Sequence, residues 1–129
     1  ERELALLPLY LNANNPSPDQ GFRQSERDGL MKRANANAIF ALAFLHHLCF
    51  SGNVPIDQAI EWLLELAPTG IIEFVPKSDP KAKLMLATRT DIFYDYNKDN
   101  FITELSKRSK IIKSQTISTS GRLLVWFSR

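Results

Sequence analysis

A chain of 129 residues accommodates at most one ordinary domain and is long enough to bury a genuine core. Sixteen Lys and Arg against fourteen Asp and Glu leave a formal charge of +2, too small to argue for nucleic acid or an anionic membrane as partner. The single cysteine, Cys49, excludes an internal disulfide and any cysteine-cluster zinc or iron–sulfur site within the chain, and a cytoplasmic protein is the natural reading.

The chain opens on Glu1-Arg2-Glu3, which is not a secretory signal, and no stretch approaches the length of an apolar membrane span. The missing initiator Met and the immediate apolar run Leu4 to Leu11 read as a chain cut from something longer. Pro8 confines that run to an edge strand or to a strand starting after it. Asn12 to Gly21, rich in Asn, Pro and Ser, is a turn-rich loop, and Glu26 to Arg33 reads as a short helix despite Gly29. Ala38 to Ala43 reads as a buried strand. The wholly apolar segment that contains it ends abruptly in His46 and His47.

Ser51-Gly52-Asn53 follows as a loop, and Pro55 fits the first turn of a helix. Ile56, Ala59, Ile60, Leu63, Leu64 and Ala67 recur at three- and four-residue spacing, which requires a covered helix face. Gly70 releases the chain into Ile71 to Val75, a β-branched run fit for a central strand, which Pro76 closes. Ser78 or Asp79 caps a helix from Pro80 to about Thr90, and Asn97 caps another from Lys98 to Lys107. Ile111 to Ile117 and Arg122 to Ser128 flank Ser118-Thr119-Ser120-Gly121 and read as an antiparallel hairpin. The basic residues of the last third are interspersed with Asp91, Asp95, Asp99 and Glu104, the pattern of a solvated face. The fold class is α/β, with strands, helices and a terminal hairpin.

Three residues stand out chemically. Ligands of open α/β sheets bind outside the carboxyl ends of the strands, where His46 and His47 fall. An imidazole titrating near ~6.5 can orient or deprotonate an acceptor, shape the site, or simply be a satisfied structural group. Glu73 sits in a strand expected to be buried on both faces, where a carboxylate needs a partner. Pairing with Lys77 is one account of it, and acceptor binding or general-base work the other. His46, His47 and Cys49 do not compose a metal site, since adjacent side chains diverge and no further histidine exists. Trp62 and Trp126 read as packing residues.

This order of elements, with Phe44-Leu45-His46-His47-Leu48 after the buried strand, resembles the carboxyl-terminal half of a class I S-adenosylmethionine-dependent methyltransferase. That family has a Rossmann-like seven-stranded sheet of order 3-2-1-4-5-7-6, with strand seven antiparallel. The resemblance implies that the Leu4 to Leu11 run is strand three, Ala38 to Ala43 strand four, Ile71 to Val75 strand five, and the hairpin strands six and seven. It further implies that Asn12 meets the adenine amine of S-adenosyl-L-methionine, with Ala13 offering its backbone amide, unless Asn12 is merely a turn former. Leu42 and Ala43 would meet the methionine part of that cofactor, and His46, His47 and Glu73 become the catalytic candidates.

The family's glycine-rich loop after strand one and the acid ending strand two are absent, and the five scattered glycines cannot replace them. The expectation is therefore methyl transfer in an intact parent, with a small molecule or protein as acceptor and this segment inactive by itself. No Asn-Pro-Pro-Tyr type motif follows strand four, which disfavours a nucleic-acid base as acceptor. A non-catalytic α/β partner or assembly module derived from a methyltransferase is the alternative. In either case, removing strands one and two leaves open sheet edges that invite self-association.

Overall fold

The computed structural model describes residues 7–129. The expected strand Leu4 to Leu11 lies partly outside them, and its described part, residues 7–11, is in no strand. The fold is α/β: a mixed four-stranded sheet with helices between its strands. The elements are α1 (Leu30–Arg33), β1 (Ile39–Ala41), α2 (Leu45–Gly52), α3 (Ile56–Leu66), β2 (Thr69–Phe74), α4 (Pro80–Leu86), α5 (Lys98–Arg108), β3 (Lys110–Thr116) and β4 (Leu123–Ser128). Among the described residues no helix is long and apolar enough to cross a membrane.

The sheet order is β1-β2-β4-β3. β1 and β2 are parallel, with Ile39 opposite Gly70 and Ala41 opposite Ile72. β4 runs antiparallel between β2 and β3, pairing Glu73 with Leu124 and Ile111 with Phe127. The hairpin thus forms as read from its Ser-Gly turn, and its second strand is the one that neighbours β2. Gly121 takes the left-handed conformation (φ 88°) that the turn requires. β3 is an outer strand with a register shift between Ile111 and Lys113, and Lys110 and Lys113 blunt its exposed run.

Helix α3 forms where the spacing of Ile56, Ala59, Ile60, Leu63 and Leu64 predicts, and all five are buried. It packs against β1 and α5, and α5 packs against β3, so the two helices roof one face of the sheet. The Asn97 side chain accepts from the Asn100 N–H at 2.9 Å, capping α5. An aromatic cluster of Phe50, Phe74, Phe93, Tyr96 and Phe101 fills the core, and the Tyr96 hydroxyl donates to the Val75 carbonyl at 2.9 Å.

Several elements are shorter than their sequence patterns. The helix expected from Glu26 starts at Leu30, because Gln20 and Arg27 form an antiparallel bridge and the Gly29 N–H donates to Asp19 at 2.7 Å. The helix expected to reach Thr90 ends at Leu86. β1 ends at Ala41 rather than Ala43, since Ala43 adopts a left-handed φ of 49°. The largest difference is α2: Leu45 to Gly52 is helical, so both histidines lie in its first turn and Ser51-Gly52 is its last turn rather than a loop. Asn53, in the left-handed region, closes it.

β1 leaves one edge and one face without a partner among the described residues. Ala41 is buried but Phe40 beside it is 71% exposed. The β1–β2 contact depends on Gly70, where a Cβ would stand 2.4 Å from the Ile39 carbonyl oxygen. Gly70→Ala should destabilise the protein by about 1–3 kcal/mol through this overlap. Urea denaturation checks it, and an unchanged midpoint would mean that β1 yields freely.

Candidate functional site

Because β1 and β2 are parallel, their carboxyl ends reach the same rim of the sheet, and because β4 is antiparallel its first residues start there too. Arg122, the residue before β4, therefore stands beside Glu73 near the end of β2. Its Nη1 donates to Glu73 Oε1 at 3.1 Å, while Nε and Nη2 donate to Asp79 Oδ2 at 2.7 Å and Oδ1 at 3.1 Å. The other oxygen of Glu73, Oε2, accepts the Ala43 N–H at 2.5 Å. Glu73 and Asp79 are buried, with 5% and 3% exposure.

Asp79 also caps α4 through the Lys81 N–H at 3.0 Å and accepts from the Ser120 hydroxyl at 2.9 Å. The Arg122 guanidinium, helped by Ser120 and the Lys81 N–H, holds the Asp79 carboxyl well below the usual carboxylate range. Arg122 is in turn raised above the ordinary guanidinium value, first by its bond to Asp79. The partner of Glu73 is thus Arg122 and not Lys77. Lys77 donates instead to Asp91 at 2.8 Å and to the Phe93 carbonyl at 2.6 Å.

The two histidines differ in surroundings although their rings lie 4.3 Å apart. His46 is buried, and its Nδ1 has no hydrogen-bond partner. Burial, then the neighbouring His47 and Arg122, lower its pKa to about 4. His47 is exposed and lines a cavity of about 360 Å³ with Leu11, Asn12, Ala13, Phe44 and Leu48. The structure therefore brings Asn12, Ala13 and His47 around one space. Asn12 also forms a turn: its Oδ1 accepts from the Asn14 N–H at 3.1 Å, and the Asn14 side chain lies so close to Gly52 that a Cβ there would meet it at 2.3 Å. Leu42 is exposed in an adjoining apolar groove of about 280 Å³, lined also by Leu11, Phe40, Phe44 and Trp62. Trp62 stacks on Phe44 with centroids 6.5 Å apart. Ala43 lines neither space, and its N–H is committed to Glu73.

Arg122 and Asp79 are the site residues that sequence reasoning missed, one read as a surface base and the other as a helix cap. The usable signal was the strand order, which sets the start of the last strand beside the end of β2. Among the described residues no three His, Cys, Asp or Glu side chains stand close enough to hold a metal ion.

Mixed α/β architecture and a candidate site at the strand ends thus define the chain. The chain is similar to the nodulation protein NoeA of Rhizobium meliloti (strain 1021), with 48% identity over 123 residues. The alignment covers 95% of this chain and 26% of that protein, so the chain spans about a quarter of the length of the curated relative it matches. No family model matches the sequence, and no solved structure matches it.

The lowered pKa of His46 makes stability depend on pH. Its folded value, about 4, lies below the ordinary 6.5, so between these values the unfolded chain binds the proton and the folded one does not. Stability fully present above pH 6.5 should fall by up to about 3 kcal/mol as pH drops to 4, at 1.36 kcal/mol per pKa unit. A further loss follows below pH 3.8, where Asp79 takes up a proton in the unfolded chain while the folded one still resists it. Urea midpoints between pH 7.5 and 4 check this, and His46→Leu should flatten the first decline.

Proposed function

We propose that this chain is the carboxyl-terminal portion of an S-adenosyl-L-methionine-dependent methyltransferase domain, active in the intact protein. The observation that carries the reading is the order β1-β2-β4-β3 with β4 antiparallel, which agrees with the order 4-5-7-6 expected of the second half of a Rossmann-like seven-stranded methyltransferase sheet. The open edge of β1, where strand one would pair, and the uncovered Phe40 support it. Similarity to a nodulation protein is compatible with a modifying enzyme, and the match to about a quarter of that relative is compatible with a further half carried by a longer intact protein.

The residues present fit one end of the cofactor. The Asn12 side chain combines a donor and an acceptor, as an adenine edge needs, and Phe44 and Leu48 give the same cavity apolar walls. Ala13 would add its backbone amide, and Leu42 and Ala43 would flank the methionine part. The glycine-rich loop has no counterpart among the described residues: Gly52 is packed on Asn14 and Gly70 on Ile39, so neither belongs to a free loop. When bound, S-adenosyl-L-methionine supplies a methyl group on a sulfonium, open to direct displacement. The protein's task is then largely to position the acceptor.

In this reading the acceptor, a small molecule or a protein side chain, lies between Phe44 to His47 and the end of β2. His47, exposed at the cavity, takes a proton from the acceptor. Neutral His46, behind it, shapes the wall. Glu73 anchors the floor through Ala43.

Calorimetric titration of the intact protein should give micromolar affinity for S-adenosyl-L-methionine, and the 129-residue segment alone should give none. Radiolabelled methyl transfer to metabolite, protein and RNA pools then finds the acceptor. His47→Ala should lower turnover about a hundredfold, the scale of general-base catalysis, while leaving cofactor affinity unchanged. An intact protein that neither binds the cofactor nor transfers methyl would leave the assembly-module alternative standing.

A further inference from the structure

We propose that Arg122 is a positioning residue that sets the loop after β1 through a two-bond relay, Arg122 to Glu73 to the Ala43 N–H. The proposal rests on the methyltransferase reading only for what the loop holds; the relay itself is a property of the fold.

Ala43 has a left-handed φ of 49°, which an alanine rarely takes unless its surroundings hold it there. The hold is visible. Its N–H is bound at 2.5 Å by one oxygen of Glu73, a buried carboxylate thirty residues away on β2. The other oxygen is bound by Arg122, and the guanidinium is fixed from its far side by Asp79. Asp79 is itself held by the start of α4 and by Ser120 in the hairpin turn. The carboxylate can neither rotate nor retract without breaking one of these bonds. The bent backbone at Ala43 then delivers Phe44, whose carbonyl accepts the His47 N–H at 2.9 Å and the Leu48 N–H at 3.4 Å in the first turn of α2. The hairpin turn at one end of the chain thereby fixes where Leu42, Phe44 and both histidines stand.

The test is hydrogen exchange by mass spectrometry on the ligand-free intact protein, reading peptides over residues 42–48. In Glu73→Gln the isosteric amide has one oxygen for two donors, and the charged guanidinium takes it. Exchange over this segment should rise about tenfold or more, the value of a charge-assisted hydrogen bond. Arg122→Met should act alike, releasing Glu73. Ala43→Gly removes the penalty of the left-handed conformation, so Glu73→Gln with Ala43→Gly should restore protection at His47 and Leu48, though not at position 43. This rescue separates positioning from a general loss of stability, which glycine would worsen. Unchanged exchange in Glu73→Gln overturns the relay, and so does a double variant no better protected than the single one. An unsubstituted protein that does not bind S-adenosyl-L-methionine overturns the methyltransferase reading and leaves the relay's result untouched.

Discussion

The strand-end region is organised by one half-buried guanidinium, that of Arg122. Arg122 joins two carboxylates whose side chains are 6% and 4% exposed, and among the described residues neither has another cation in contact. Taking two carboxylates out of water is costly, and their arrangement persists because one planar fork satisfies three of their four oxygens, with backbone N–H groups and Ser120 supplying the remaining bonds. Removing the fork would strand buried charge, at a cost of about 3–5 kcal/mol. The Glu73 oxygen left to the Ala43 N–H offsets the roughly 1–2 kcal/mol of the left-handed Ala43. The pairing of both carboxylates therefore depends on a single side chain.

That dependence follows from sheet topology. Had the last strand run parallel, its first residue would lie at the opposite rim of the sheet, and Glu73 would be buried without a cation. Inserting β4 antiparallel between β2 and β3 brings the hairpin turn, the capping Asp79 and the end of β2 to one place. It also confines the polar chemistry to one rim. The opposite rim is tied differently, through the Arg129 N–H to the Pro68 carbonyl and Thr69 to Phe127.

Much of this is legible in the sequence. The spacing of Ile56 to Leu64 gives α3, Asn97 gives the start of α5, and Ser118 to Gly121 gives the hairpin. What escapes has physical reasons. Ala38 to Leu48 is almost uniformly apolar, so it has no period to divide strand from helix, and the break falls at an alanine, which carries no turn signature. Glu73 reads as needing a partner, but Lys77, near in sequence, is drawn to Asp91 while the true partner lies 49 residues on. Asn12, Ala13 and His47 come around one cavity because the loop after residue 11 folds onto α2 across Gly52, a contact that no local pattern announces.

We propose that β1 is an interior strand of a larger methyltransferase sheet, with the cofactor's adenine against Asn12. An experimentally determined structure of the intact protein with S-adenosylhomocysteine tests it most directly. The expected result is a parallel strand hydrogen-bonded along the free edge of Ile39–Ala41, and the adenine edge within hydrogen-bonding distance of Asn12 and the Ala13 amide. A free or antiparallel-paired β1 edge, or an adenine bound away from Asn12, would contradict it.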